Sequence, residues 1–212
     1  MGGRFAARMG VLLLVAGVAA AQPAGASAVK RATSCSAKRA HVVARAGTAL
    51  LLTRPHGDDG LYGPGTLVTT CRRGHRPVVL VDTGPGDSVT VSRGVFTSGY
   101  VAFARSSSSA TCTKYLGDDP QCHSIGVTSY NRRTGKLRAS GSGPADVLVL
   151  TPAGWLAWLS PADAAGVRTL QAVDSHGLRV LATDAIDPAS VRAAGATVSW
   201  SAGGVAGAAT LS

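Results

Sequence analysis

The chain contains no glutamate, and its eleven acidic side chains are all aspartates. This absence excludes a zinc-peptidase helix of the His-Glu-x-x-His type, and any pair of catalytic carboxylates has to come from aspartates. Also missing are the Gly-x-Ser-x-Gly nucleophile elbow, the glycine-rich phosphate loop that ends in Lys-Ser or Lys-Thr, and the dinucleotide-binding fingerprint. The sequence therefore lacks the motifs of the common hydrolases and nucleotide-binding enzymes, and we predict no catalytic residue.

Helical periodicity over ten or more residues is nearly absent from the chain. Apolar runs of four to seven residues instead alternate with Gly, Pro, Asp and Ser, a pattern typical of short strands joined by turns. Only residues 187–192 begin like a helix, with an aspartate cap followed by proline, and they extend for about one turn. The sequence therefore predicts an all-β fold.

Long apolar runs are also scarce, and the marked one lies near the N-terminus, at about Met9–Ala21. Arg4 and Arg8 precede this run, and the small residues of Ala26-Ser27-Ala28 follow it, which is the order of a secretory signal peptide. The run is shorter than the roughly 20 residues that a membrane-spanning helix needs. We therefore predict cleavage after Ala28 and a secreted or extracytoplasmic protein without a transmembrane anchor after processing.

The predicted signal peptide divides the chain into three parts: the signal peptide at 1–28, a basic lead-in at 29–39 and a single β-repeat domain at 40–212. Removal of Arg4 and Arg8 lowers the formal net charge from +10 to about +8, since 10 − 2 = 8. The mature protein is therefore expected to be strongly basic and large enough for one hydrophobic core.

Four cysteines, an even number, remain in a chain that we expect to be exported, so two disulfides are predicted. Three pairings are open. We favour Cys112–Cys122, which closes a short polar loop, and Cys35–Cys71, which ties the start of the mature chain to its first unit. A zinc knuckle is disfavoured because no two cysteines have the two-residue spacing that it needs.

Three segments look like variants of one strand, in which a glycine precedes an apolar run that ends in an aromatic residue. They begin at Gly99, Gly154 and Gly195, and a fainter copy begins at Gly47. The copies differ most in the loop between the second and third strands of each unit, at 56–65, 106–123 and 160–166. Because variable insertions at one repeated position map to one face of an array, the sequence predicts three to four antiparallel β-units in tandem, the last one cut short.

A period of about 40 to 55 residues, with three or four strands per unit, is typical of a β-propeller blade. The aromatic-ended strands and the turns at 131–135 and 174–177 resemble those of small exported actinobacterial proteins with degenerate β-propeller-like repeats, and the Ala-, Gly-, Val- and Arg-rich composition is similar too. The resemblance covers most of 40–212 and implies a propeller-like array. A two-sheet β-sandwich is the alternative, because so few units seldom close into a ring; a second copy of the chain would then cover unpaired edges.

Aromatic pairs occur in two of the repeated strands, Tyr100 with Phe103 and Trp155 with Trp158. Three-residue spacing puts the members of each pair on opposite faces of a strand. We expect Phe103, Trp158 and also Trp200 to pack between sheets. Tyr100 and Trp155 then point the other way, and a sugar-stacking platform is the functional alternative to simple packing for these two residues.

Acidic pairs occur in the variable loops of the first two units, in Gly57-Asp58-Asp59-Gly60 and Gly117-Asp118-Asp119-Pro120. Equivalent units would bring both pairs to one face, and Ca²⁺ prefers such oxygen ligands. The candidate calcium ligands are Asp58, Asp59, Asp118 and Asp119. Ordinary acidic turns are the alternative, because neither loop has the alternating ligands of an EF-hand, and no other cofactor is predicted.

Basic residues crowd two turns that the repeat makes equivalent, and they are candidate contacts for a polyanion: Arg72, Arg73 and Arg76 in the first unit, and Arg132, Arg133 and Lys136 in the second. Outside a cell, wall polymers and acidic lipids are the available polyanions, whereas export disfavours nucleic acid. A basic surface that merely maintains solubility is the alternative.

Together these patterns favour an exported, non-catalytic β-repeat protein that serves as a binding or scaffold module at the cell envelope. Its expected partners are a cell-wall polymer or an envelope protein, and self-association is a further prediction. The alternative function is that of a secreted carbohydrate-active enzyme that uses loop aspartates.

Overall fold

The computed structural model describes residues 35, 40–57, 60, 63–72, 75–116 and 119–212, and all structural statements concern these residues. The predicted signal peptide and the basic lead-in, except for Cys35, lie outside them. Four antiparallel sheets account for most of the described chain, and each sheet is built from strands that are consecutive in sequence. The predicted all-β class is therefore confirmed.

Within the described ranges, fifteen strands form the four sheets. The first sheet contains β1 His41–Ala46, β2 Ala49–His56, β3 Gly65–Arg72 and β4 Val78–Asp82. The second contains β5 Asp87–Phe96, β6 Tyr100–Ser109, β7 His123–Asn131 and β8 Leu137–Ser142. The third contains β9 Val147–Leu150, β10 Leu156–Leu159, β11 Arg168–Asp174 and β12 Gly177–Asp184. The fourth contains β13 Arg192–Ala194, β14 Thr197–Ala202 and β15 Val205–Thr210.

The repeated segments take equivalent places in the four sheets. Each glycine-led segment supplies the second strand of its sheet, namely β2, β6, β10 or β14. The loops of variable length join the second and third strands, as the sequence predicts, and the fourth sheet is the shortened one. One pattern of strand, turn and strand therefore recurs four times along the chain.

The loop predicted at 106–123 differs from its sequence interpretation. Strand β6 continues through the serine run to Ser109, because that run pairs with β5 on one side and β7 on the other. A short helix, α1 at Ala110–Leu116, and a 3₁₀ turn at Pro120–Cys122 then fill the rest of the loop. The predicted one-turn element after Asp187 is confirmed as a second 3₁₀ turn, at Pro188–Ser190.

Each sheet has two distinct ends, because its strands form a simple meander. One end carries the connection between the first and second strands and the connection between the third and fourth strands, and we call it the turn end. The opposite end carries the variable loops and the connectors between sheets, and we call it the loop end. Contacts between neighbouring sheets join like ends: Gly86 N–H donates to the carbonyl of Gly63 at the loop end, and Arg132 lies near Arg72 at the turn end.

Two hydrophobic clusters hold the sheets together. One surrounds Phe103, which is fully buried and stacks on Tyr130 with ring centroids 5.6 Å apart. The other surrounds Trp158, which is also fully buried and lies against Gly141 of β8, where a Cβ atom would collide with the indole. Burial of an aromatic side chain of this size stabilises the fold by a few kcal/mol, so these two residues position the second and third sheets.

The first strands of neighbouring sheets contact one another, in the order β1, β5, β9 and β13. Buried side chains alternate along strands such as β11, where Leu170, Ala172 and Asp174 are buried and their neighbours are less so. Among the described residues the sheets form no closed barrel or propeller. The coarse architecture is thus a series of four small antiparallel sheets held together by two hydrophobic clusters.

Candidate functional site: a basic turn end and an acidic loop end

The two predicted basic turns are equivalent, since each joins the third and fourth strands of its sheet at the turn end. Arg72, Arg76, Arg133 and Lys136 are exposed there, and Arg132 is half-buried; Arg73 lies outside the described residues. The β7–β8 turn also contacts the first sheet directly, because a Cβ atom on Gly135 would stand 2.5 Å from the carbonyl oxygen of Val79. The structure therefore places the two basic turns side by side.

Arg132 is held in place from three directions. Its Nη1 donates to the carbonyl of Thr97 at 2.9 Å, and its guanidinium lies over the ring of Phe96 at 5.1 Å. Its backbone N–H donates to the carbonyl of Gly99 at 2.9 Å. Burial lowers the pKa of Arg132, and the positive charge of Arg72 lowers it further. An anion placed between these two cations would therefore reduce their mutual repulsion.

Asn131 shapes the turn that carries Arg133 and Lys136. Its Oδ1 accepts hydrogen bonds from the backbone N–H groups of Arg133 at 2.9 Å and Thr134 at 3.1 Å. Such a side-chain turn fixes the backbone without using the charged groups, which remain exposed. The basic turn is thus ordered before any ligand arrives.

Trp155 and Tyr100, the candidate sugar platform, are covered rather than open. Trp155 is only 9% exposed, and the guanidinium of Arg138 lies over its ring at 3.5 Å while Arg138 Nε donates to the carbonyl of Ala153. Gly154 has φ 86° and packs on Tyr100; a Cβ atom at this position would stand 2.6 Å from that ring, so no larger residue fits there. A sugar could stack on this face of Trp155 only after Arg138 has moved away.

The candidate calcium ligands are not brought together by the described residues. Asp58, Asp59 and Asp118 lie outside the described part of the chain. Asp119 caps the 3₁₀ turn, where its Oδ1 accepts from the backbone N–H of Gln121 at 2.8 Å. Within the described ranges, no group of three or more His, Cys, Asp or Glu side chains is close enough to hold a metal ion.

Two disulfides are confirmed, one at each end of the sheets. Cys35 pairs with Cys71 at the turn end, with their Cα atoms 5.6 Å apart. Cys112 pairs with Cys122 at the loop end, with their Cα atoms 5.4 Å apart, and joins α1 to the 3₁₀ turn. These are the pairs that the sequence favours, and among the described residues no cysteine is free.

An aspartate of the 174–177 turn, which is not among the candidate site residues, forms the best-connected polar group of the described turn end. Asp174 is buried, and its carboxylate accepts from Arg179 Nη2 at 2.7 Å and from the backbone N–H groups of His176 and Ser212 at 2.9 and 3.4 Å. Burial would raise the pKa of Asp174, but these hydrogen bonds and the Arg179 charge outweigh it and lower the pKa. Asp174 therefore joins the third sheet to the fourth as an ion.

Charge is partitioned between the two ends. Of the eight described aspartates, seven lie at the loop end: Asp82, Asp87, Asp119, Asp146, Asp163, Asp184 and Asp187. The turn end carries a single described carboxylate, that of buried Asp174, and eight described cations: Arg45, Arg72, Arg76, Arg132, Arg133, Lys136, Arg138 and Arg179. The meander explains this separation, because acidic residues occur in every second connection along the chain. The charge separation could have been predicted from the sequence by assigning each connection to the turn end or the loop end.

A shallow groove of about 280 Å³ opens at the loop end of the first sheet. Its walls combine apolar and neutral side chains with one arginine and one histidine: His41, Thr53, Arg54, Pro55, Pro64, Gly65, Thr66 and Val89. The described residues that line it include no carboxylate.

No family model, curated protein or solved structure matches the chain. No helix in the described residues has the length and apolar character needed to cross a membrane. Function therefore has to be inferred from the arrangement of charge and from the sheet edges.

Proposed function

We propose that the chain is an exported, non-catalytic binding module whose basic turn end holds an anionic polymer of the cell envelope. The observation that carries this proposal is the row of exposed cations on two adjacent turns, with the described acidic groups, apart from buried Asp174, at the opposite end. A polymer with a repeated negative charge can meet several of these cations at once, which a small anion cannot.

The geometry favours arginine-mediated recognition of phosphate or carboxylate groups. Arg132 is fixed by Phe96 and the Thr97 carbonyl, so little side-chain entropy is lost when its remaining N–H groups bind an anion. Arg133 and Lys136 stand on a turn that Asn131 already orders. Pre-organised cations of this kind bind more tightly than freely rotating ones of equal charge.

The arrangement of the four sheets relative to one another is part of the same proposal. A propeller-like array of four blades, as in exported actinobacterial repeat proteins, accounts for the contacts between successive first strands, β1 with β5, β5 with β9 and β9 with β13. In such an array the turn ends form one continuous face, which suits an extended ligand. The signal peptide predicted at 1–28 would deliver this face to the outside of the cell.

The test compares two triple variants of the mature chain that lose the same charge. The first replaces Arg72, Arg133 and Lys136 of the turn end by Gln, and the control replaces Arg54, Lys114 and Arg192, which lie at the loop end, by Gln. Each exposed contact is worth about 0.5 kcal/mol, so the first variant should bind an immobilised wall polymer about tenfold more weakly.

Binding is measured at low and high salt, with a phosphodiester polymer, a carboxylate polymer and an uncharged glucan as probes. We expect wild type and the loop-end variant to bind the anionic polymers alike and to release them as salt rises. Equal weakening by both variants, binding that persists in about 1 M salt, or equal binding of the uncharged glucan would refute the proposal.

A further inference from the structure

The fourth sheet has three strands where each of the others has four. Strand β15 therefore occupies the outer edge at a position where β3, β7 and β11 each have a fourth strand beside them. Two outer-edge features protect each of those fourth strands. A β-bulge interrupts the pairing of β4, β8 and β12 with its neighbour, and a charged residue lies within each strand: Asp82, Arg138, and Arg179 with Asp184.

Strand β15 has neither form of protection. Its pairing with β14 runs without a register shift from Thr197↔Thr210 to Ala202↔Val205. The chain carries no charged side chain from residue 193 to residue 212. Val205 is 72% exposed, more than any other large apolar residue of the described chain. A regular, uncharged and exposed edge of this kind is the form that pairs with a further strand.

The hydrogen-bonding groups of this edge point outwards at alternate residues. The tight turn at Gly203-Gly204 makes Ala202↔Val205 a hydrogen-bonded pair, so Gly207 and Ala209 also bond to β14. The N–H and C=O groups of Ala206, Ala208 and Thr210 then face the side on which no described strand pairs with β15. The carbonyl of Thr210 accepts from Arg179 Nη2 at 2.7 Å, which closes the edge at the turn end, and no described residue bonds to the centre of the edge.

From these observations we infer that β15 pairs with β15 of a second copy of the chain, as an antiparallel two-fold dimer. A two-fold axis at Gly207 pairs Ala206 with Ala208 of the other copy, and Ala208 with Ala206, which makes four backbone hydrogen bonds. The side chains are small enough for this approach. Trp200, half-buried, lies over Gly207, where a Cβ atom would be 2.5 Å from its ring, and it would cover the join.

A second copy meets no opposing charge at this edge. Without the predicted signal peptide the formal net charge is about +8, so most approaches of one copy to another are repulsive. The uncharged segment at 193–212 is the stretch where two copies meet without opposing like charges. The same edge in both copies also gives a closed dimer rather than an open fibre.

The experiment measures the mass of the mature protein in solution as a function of concentration, by sedimentation at moderate salt. Wild type should move from the protomer mass towards twice that mass. Ala208→Pro removes an outward N–H group and Ala208→Lys places a charge at the centre of the edge, and both should remain at the protomer mass. The matched control is Val180→Lys, which adds the same charge at an exposed position of β12 and should still dimerise.

Circular dichroism and tryptophan fluorescence accompany each measurement. The lysine variant keeps the test decisive if proline disturbs the sheet. Trp155 and Trp158 are buried in the protomer, so a blue shift of the tryptophan emission on dimerisation reports Trp200, and it should occur in wild type but not in the Ala208 variants. A protomer mass at all concentrations overturns the inference. If hydrogen exchange at Ala206 and Ala208 is slow in such a protomer, a segment of the same chain, and not a second copy, pairs with the edge. A dimer insensitive to both Ala208 variants, or a series of larger oligomers, also overturns it.

Discussion

The turn end and the loop end of the sheets differ in the length of their connections and in charge, although the same strands form both. At the turn end the connections are short, and side chains such as Asn131 and Asp174 bind backbone groups of the turns. At the loop end the connection between second and third strands has eight residues in the first sheet (57–64), thirteen in the second (110–122) and two in the fourth (203–204). The comparison teaches that one end has short, basic connections, while the other has acidic connections of variable length.

The largest expected difference between the ends concerns the disulfides. Cys35–Cys71 at the turn end spans 36 residues, and Cys112–Cys122 at the loop end spans 10. Loop-closure entropy predicts a loss of about 4 kcal/mol for Cys35→Ser with Cys71→Ser, and about 3 kcal/mol for Cys112→Ser with Cys122→Ser. Urea unfolding without reductant measures both losses in the mature chain. The reverse order would show that the loop end contributes more to stability than its chain length indicates.

Asp174→Asn should have the next largest effect, about 2 kcal/mol, because it removes a buried, charged acceptor of three hydrogen bonds. The lowered pKa of Asp174 also sets a pH dependence. Since the folded state holds this carboxylate more strongly ionised than the unfolded state, its stabilisation is present above the unfolded pKa of about 4 and is lost as the pH falls through the lower, folded pKa.

The measurement is urea unfolding of wild type and Asp174→Asn at several values between about pH 6 and pH 2. The difference between the two proteins should shrink at the acid end of this range. The control is Asp146→Asn at the loop end, which breaks the 2.6 Å ion pair with Arg168 but leaves a partly exposed site, and it should cost about 1 kcal/mol. Equal losses of unfolding free energy for the two variants would show that the buried ion pair of the turn end contributes no more than the partly exposed one of the loop end.

The smallest expected effects come from single turn-ordering side chains. Asn131→Ala at the turn end loses two backbone hydrogen bonds and should cost about 1 kcal/mol; Asp119→Ala at the loop end loses one and should cost about 0.5 kcal/mol. Only Asn131→Ala should also weaken binding of an anionic polymer, because it loosens Arg133 and Lys136. Thermal unfolding and polymer binding measure the two quantities, and weakened binding by Asp119→Ala would contradict the assignment of the basic end.

Much of the fold was predictable because most strands have a local sequence pattern. The glycines before β2, β6, β10 and β14, followed by apolar runs, identified equivalent strands without any knowledge of their partners. The serine run at 106–109 was predicted as loop because it has no alternation of polar and apolar residues. Its strand conformation comes from neighbours on both sides, β5 and β7, which are distant in sequence.

The candidate site was predictable only in part, for a related reason. The equivalence of the two basic turns follows from the repeat, but their proximity depends on how neighbouring sheets pack, as the effect of Arg72 on Arg132 indicates. The cover of Arg138 over Trp155 joins residues of different sheets, so no spacing in the chain reveals it. Local pattern thus identified the parts, and only packing showed which of them meet.

The charges of the described residues form a permanent dipole along the strand axis. Near any negatively charged surface, the resulting torque would rotate the molecule before contact, with the turns towards the surface and the loops towards solution. Insertions of different length in those loops would then extend into open water, where they change what the protein displays without altering how it attaches.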